Sequence, residues 1–445
     1  MIIEYQKKNI LIKLFIIFSF CVCWLSISTS FNDLLILKND QELNIKVVIN
    51  FLRQASIYFC FFLSVILLLF SKKNFFQKKD LIYIFFSIYF LSQIPGLIYS
   101  ENNFDNIYLI FSALTAILTI ILFEKFFSIG EKKILIYLSF FILLIVFLMG
   151  FIPQLISFIK GSGDLGFYGN LKKDSELFLN KDSPRSSGLS RTSLLLIILL
   201  YLLENILFKK KLFFTKLLVI FLLSVILLYQ SRTMIFISVI ILTLIFLFEN
   251  DFSFKNILKF SFIYFIVPIL IFVFSLTYYS NQKYEHNVTN MIKNQNLSRS
   301  EILQKNIIKK KLLTRKVNDF SSGRFSDWKK IYNKFSIEHI FFGYGSQGDR
   351  YLINQNASNG LIYAFASSGI FGFIFFILFS LITLKKIPIL TINFKQIDHE
   401  NFFSSLIILT IFLRSLLENS YSLYSIDFMI LITLICFIKN FKFKN

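Results

Sequence analysis

About twelve stretches, each of roughly twenty mostly apolar residues, run through this chain, and no other feature restricts its fold as strongly. They lie near 10–30, 47–70, 81–100, 104–123, 134–152, 189–208, 212–229, 232–249, 256–278, 359–384, 402–418 and 423–438. A water-soluble domain spaces its apolar residues so that one face of each element stays wet, whereas these runs are apolar all round. Their surroundings must be lipid. Inside a bilayer the backbone has to satisfy its own hydrogen bonds, so continuous runs of this length predict helices. The expected fold is all-α, a polytopic integral membrane protein with about 12 transmembrane helices. Composition agrees, because 56% of the 445 residues are hydrophobic, above the share usual in soluble domains.

A net charge of +21 suggests nucleic acid in a soluble protein, but here the charges have a topological reading. Lys7 and Lys8 precede the first run, Lys72, Lys73, Lys78 and Lys79 follow the second, and Lys125, Lys132 and Lys133 follow the fourth. Lys209, Lys210, Lys211 and Lys216, then Lys255 and Lys259, Lys385, Lys386 and Lys395, and Lys439, Lys442 and Lys444 continue the alternation. The short loops of opposite parity, at 101–105 and 229–232, are nearly free of lysine. Lysines retained on the cytoplasmic side therefore put both termini in the cytoplasm. The first run resembles a signal peptide but lacks a small-residue cleavage site, so it reads as a retained span. Cys21, Cys23, Cys60 and Cys436 all lie within apolar runs, which argues against a disulfide framework or a zinc site.

Two loops interrupt the pattern, at 153–188 and 279–358. They divide the chain into residues 1–278 with helices one to nine, a large outer loop at 279–358, and residues 359–445 with the last three helices. The long loop, about 80 residues, is too large to be a mere connector. Its fourteen basic and six acidic residues leave +8 on that face. Two amphipathic helices are expected within it, both suited to an anionic membrane surface. One opens at Ser298 with Glu301 in a capping-box relation; the other carries Phe325, Trp328, Tyr332 and Phe335 on one face. No internal repeat points to an inverted-repeat transporter. A flippase needs charges deep in several spans, and only Arg53 and Asp427 qualify.

Arginine is used sparingly beside the abundant lysine. With this topology Arg185, Arg191, Arg232, Arg324 and Arg414 all fall at the outer face. A guanidinium binds phosphate through two parallel hydrogen bonds, whereas an ammonium acts as a point charge. Several arginines on one face thus suggest a phosphate or pyrophosphate site. The alternative is interfacial anchoring, and for Arg414 an intrahelical pair with Glu418. Arg324 follows Ser321-Ser322-Gly323, where a helix N-terminus would aim free N–H groups at an anion.

SSGRFSDWKKIYNKF at 321–335 followed by FFGYGSQG at 341–348 resembles the Gly-Arg, Trp and Gly-x-Gly signature of the O-antigen ligase and polymerase superfamily. PRSSGLSRTSLLLIILL and YQSRTMIFISVII are similar to that family's two upstream arginine-bearing helix starts. SNGLIYAFASSGIFGF resembles the helix after the loop, where the family usually carries His-Asn. Here Ser358-Asn359 takes that place, and Gly369 keeps the spacing.

The resemblance implies a GT-C-like glycosyltransferase with a large helical periplasmic loop, needing neither metal nor other cofactor. Its donor would be a glycan on undecaprenyl pyrophosphate, with Arg191, Arg232 and Arg324 holding the diphosphate, Arg185 and Arg414 as further contacts, and Ser358 and Asn359 beside them. A chain-length-regulating protein and membrane lipid would be partners, and nucleic acid would not. The enzyme would sit in the bacterial inner membrane with its active site on the periplasmic side. A hydroxyl is a poor general base, so the loss of the motif His leaves His339, Glu338 and Asp327 as candidates for that role. It also favours a polymerase of lipid-linked repeats over a ligase acting on lipid A-core, with a flippase as the reading outside catalysis.

Overall fold

A computed structural model describes residues 9–19, 45–69, 81–98, 103–159, 186–207, 213–229, 231–249, 253–274, 324–353, 357, 359–391, 397–417, 423 and 425–438. Among these the secondary structure is helical throughout, with no strand. In chain order the helices are α1 (Asn9–Ser19), α2 (Ile45–Leu69), α3 (Leu81–Leu91), α4 (Ile94–Ile98), α5 (Asn103–Lys125) and α6 (Ile129–Ile159). Next come α7 (Ser186–Leu207), α8 (Phe213–Leu228), α9 (Arg232–Glu249) and α10 (Phe254–Phe274). The outer loop contributes α11 (Arg324–Lys334) and α12 (Gly348–Ile353). The C-terminal part is α13 (Gly360–Lys385), α14 (Pro388–Thr391), α15 (His399–Ser415) and α16 (Ile426–Ile438).

Each of the apolar stretches read from the sequence holds a helix. Among the described residues six helices are long and apolar enough to cross a membrane, from Leu81–Ile98 to Gly360–Lys385, and four shorter apolar helices accompany them. The expected loop helix from Ser298, the loop at 161–185, Cys21, Cys23, Arg185, Ser358 and Glu418 lie outside the described residues.

The direction of the bundle is readable from its contacts. At one end Lys133 of α6 pairs with Glu400 of α15 at 2.9 Å, and Lys132 donates to the carbonyl of Cys436 at 3.2 Å. A capping box starts α6 there: the Ser128 N–H donates to Glu131 at 2.7 Å, and the Glu131 N–H donates to the Ser128 hydroxyl at 3.3 Å. α3 and α16 run antiparallel, since Tyr83 reaches Cys436 at 3.8 Å while Phe90 packs on Phe428 with centroids 5.8 Å apart. The starts of α7, α13 and α16 and the ends of α3 and α15 therefore gather at the other end.

Two helices break there, each for a readable reason. α3 stops at Leu91, four residues before Pro95, whose ring would clash with the Leu91 carbonyl and whose nitrogen has no proton to donate. α13 breaks at Gly369, where φ is +61°. That break exposes backbone groups inside the bundle, and the turn at 340–344 satisfies them. Tyr344 N–H donates to the Ala366 carbonyl at 2.9 Å, Ile370 N–H to Ile340 at 2.8 Å, and Phe371 N–H to Phe341 at 3.2 Å. Irregular backbone at such depth is tolerated only where protein pairs it. Glycine permits the approach: a Cβ on Gly343 would lie 2.6 Å from the Gly369 nitrogen, and one on Gly96 of α4 would lie 2.6 Å from the Gly343 carbonyl oxygen.

The second loop helix corrects one expectation. Its packed side is Ile331 and Trp328, while Phe325 is 67% and Tyr332 78% exposed. The spacing marked an apolar stripe, but the lobe docks on only part of it, through a small core of Ile331, Leu352, Ala357, Tyr363 and Ala366.

Candidate functional site

Asp427 begins the first turn of α16 and is 2% exposed. It accepts from Arg414 Nη1 at 2.5 Å and lies 3.4 Å from Arg191 Nη1. Three helices thus bring two guanidinium groups onto one carboxylate. Arg414 is buried; Arg191 keeps a quarter of its side chain exposed. A charge cluster of this kind is costly to bury and within a membrane protein marks a functional position by default. The intrahelical pair with Glu418, weighed as an alternative for Arg414, falls on a residue outside the described ones, and among those described Arg414 pairs with Asp427 of the next helix.

The start of α13 is pressed against the same corner. Asn359 caps the helix, accepting from Leu361 N–H at 2.8 Å and Ile362 N–H at 3.1 Å. Its amide donates to the Leu416 carbonyl at 2.7 Å, two residues beyond Arg414. A Cβ on Gly360 would come 2.9 Å from the Ser415 carbonyl oxygen. The positive end of the α13 dipole is therefore added to the arginine pair.

The outer lobe is tied to this point through Ala357. Trp328 Nε1 donates to the Ala357 carbonyl at 2.7 Å. Asp349, fully buried, accepts from the Ala357 N–H at 2.7 Å and the Arg350 N–H at 2.9 Å. Burial pushes the Asp349 carboxyl above its usual range, partly offset by these N–H donors. Arg324, the first residue of α11, lies one turn before Trp328 on the same face.

The sequence-level candidates divide accordingly. Arg191, Arg414 and Asn359 meet at one corner. Arg232 is exposed at the first residue of α9, a helix that packs on both α7 and α15, the two that bear the arginine pair. His339, Glu338 and Asp327 make contacts within the lobe. The His339 ring lies 3.2 Å through Nδ1 from the Gly343 carbonyl and rests on Tyr344 with centroids 4.1 Å apart, so it holds the glycine turn. Glu338 is exposed on a short turn, and Asp327 sits 3.8 Å from Lys330 on its own helix.

Asp349 escaped the sequence reading, although an acid directly after a glycine turn, in GSQGDR, was its available signal. Asp427 was noted there only as a charge inside a span. Among the described residues no group of three or more His, Cys, Asp or Glu side chains could hold a metal ion.

Residues 217–377 match a family model described as O-antigen ligase. That stretch runs from α8 to the middle of α13 and contains Arg232, Arg324, the glycine turn, Asn359 and Gly369. No curated protein and no solved structure matches the chain. Arg191, Arg414 and Asp427 lie outside the matched stretch, yet the fold sets them against its helix start at Asn359. An all-helical bundle, with a glycine turn paired into a broken helix, accompanies that match, and residues 217–377 are similar to the O-antigen ligase family.

Proposed function

We propose that this protein is a glycosyltransferase that polymerises surface-polysaccharide repeats. It moves a glycan from undecaprenyl pyrophosphate to a growing lipid-linked glycan at the periplasmic face of the inner membrane. The observation that carries the reading is the convergence of Arg191 and Arg414 on Asp427 beside the capped start of α13. As the anomeric carbon is attacked, negative charge builds on the departing lipid diphosphate. Preorganised donors aimed at developing charge are usually the largest catalytic contribution. Two guanidiniums gathered on one carboxylate, joined by a helix N-terminus, offer charged donors to that developing charge. Arg232 and Arg324 would be further contacts to the diphosphate, one from a helix that packs on both arginine-bearing helices and the other from the first residue of α11.

The polymerase reading rests on Ser358 standing where related ligases are expected to carry the His that activates the lipid A-core hydroxyl. The ligase alternative is favoured by the description of the matching family. Gene deletion followed by lipopolysaccharide gels separates the two. One repeat on the core supports the polymerase, and bare core with accumulated lipid-linked polymer supports the ligase. In the same assay Arg232→Ala and Arg324→Ala are expected to abolish chain extension at unchanged protein level, with Lys rescuing poorly. Normal extension by either Ala variant would remove that arginine from the site.

A further inference from the structure

The turn before Gly343 carries two adjacent exposed phenylalanines, Phe341 at 65% and Phe342 at 45%. Rings of that size on an irregular segment are costly to leave in water. The contacts of the turn say what surrounds them. Ile370 N–H donates to the Ile340 carbonyl at 2.8 Å, and Phe371 N–H donates to the Phe341 carbonyl at 3.2 Å. The Phe342 ring lies against Phe371, with centroids 5.9 Å apart. The turn is therefore level with residues 370–371 of α13.

That level can be placed in a bilayer by counting along α13. From Ile370 to Lys385 the helix is unbroken, which at the usual rise per residue is about 22 Å. A lysine closing a span marks one membrane boundary. With hydrocarbon about 30 Å thick, Ile370 falls about 8 Å short of the opposite boundary, and tilting the helix only takes it deeper. Phe371 and Ile374 beside it are exposed too, as expected of the stripe that a span turns to lipid. A non-helical segment at that depth must have its backbone paired by protein. Besides the two carbonyls above, Gly343 N–H donates to the His339 carbonyl at 2.7 Å and Ile340 N–H to that of Ile337 at 3.1 Å. Just before the turn, exposed Ile337 stands beside exposed Glu338, a mixture suited to the headgroup level.

We infer that the turn at 340–342 is a membrane wedge, dipping below the headgroups on the lobe's side so that lipid acyl chains cover Phe341 and Phe342. Lipid is the occupant because the turn and the exposed stripe of α13 form one apolar surface at hydrocarbon depth. The wedge seats the lobe on the bilayer, in addition to its attachment through Ala357, and does not depend on which reaction the protein performs.

The test uses the full-length protein in vesicles of phosphatidylethanolamine and phosphatidylglycerol, with its native cysteines replaced by alanine. Single cysteines carrying a nitroxide are placed by Phe342→Cys, by Ile374→Cys as the lipid-facing reference and by Asn333→Cys as the exposed reference on α11. Collision with oxygen, which partitions into hydrocarbon, is compared with collision with a water-soluble nickel chelate. The Phe342→Cys label is expected to lose nickel collisions and keep oxygen collisions, nearer to Ile374→Cys than to Asn333→Cys on both. Nickel access nearer to that of Asn333→Cys would put the turn in water and overturn the inference. Exclusion of both reagents would overturn it as well, since protein and not lipid would then cover the ring.

A second measurement reads the lobe itself. Phe341 is mostly exposed, so aspartate there would cost little in water, whereas a carboxylate among acyl chains is expensive. Phe341→Asp is expected to lift the turn and speed proteolysis within 324–353 about tenfold in vesicles, with Phe341→Leu unchanged. Equal cleavage rates in the two variants would overturn the wedge.

Discussion

Asp427 couples two helices that the sequence places far apart, and its energetics differ from those of a surface pair. Exposed ion pairs contribute about 0–1 kcal/mol, which is the expectation for Lys133 and Glu400 at the opposite end, about a third exposed. Asp427 and Arg414 are almost fully buried. Removing one partner leaves an uncompensated charge, typically about 3–5 kcal/mol. Asp427→Ala is therefore expected to lower the unfolding temperature sharply in detergent. The double variant Asp427→Leu, Arg414→Met is expected to recover much of that loss, since apolar groups of similar size replace a buried pair at little cost. Chain extension should stay absent in both. Recovery of extension in the double variant would mean that the pair serves stability alone.

The break in α13 and the glycine turn form a single element made from two distant segments. Gly369 has φ +61° and Gly343 φ +67°, a region in which a side chain costs on the order of 1–3 kcal/mol. A Cβ on Gly369 would also lie 2.6 Å from the Phe342 nitrogen, where the neighbour is backbone and cannot turn away. Gly369→Ala is expected to unpair the turn, loosen the lobe and abolish extension, read by faster proteolysis within 324–353. Gly130→Ala in α6 is the control, because the nearest neighbour of its Cβ would be the Ser128 hydroxyl at 3.9 Å. There alanine should be neutral or stabilise the helix by up to about 1 kcal/mol.

At the scale of the whole molecule the lobe is held to the bundle through Ala357, and Asp349 makes that attachment depend on pH. Its carboxyl is raised above the ordinary 3.8 by burial. Between that ordinary value and the raised native one, the folded lobe binds more protons than the unfolded chain. Its stability therefore falls as pH rises through the window. Protection of the lobe from protease should decline across that range in wild type and lose the dependence in Asp349→Asn. An unchanged slope in the variant would assign the dependence to another group. The Asn variant should also weaken the lobe at every pH, because its amide has one acceptor oxygen for two N–H donors.

Helix class, the approximate placement of the helices and the alternation of charge were legible in residue order, because lipid imposes on each span a local requirement of length and apolarity. The Pro95 break and the Asn359 cap, first seen in the fold, have equally local causes, the proline ring's clash with the preceding turn and the side-chain oxygen's reach to the Leu361 and Ile362 N–H groups. Arg191 and Arg414 could be suspected from their rarity, but nothing local says that Asp427 joins them. That contact depends on three helices crossing at one end, a property of packing. His339 shows the converse: its type and position suggested chemistry, and its surroundings turned it toward a carbonyl of the glycine turn. Sequence by itself determined the solvent each segment can live in, since that is decided residue by residue. Which charges meet was decided only by tertiary structure, because that depends on distances between segments that the chain's order does not set.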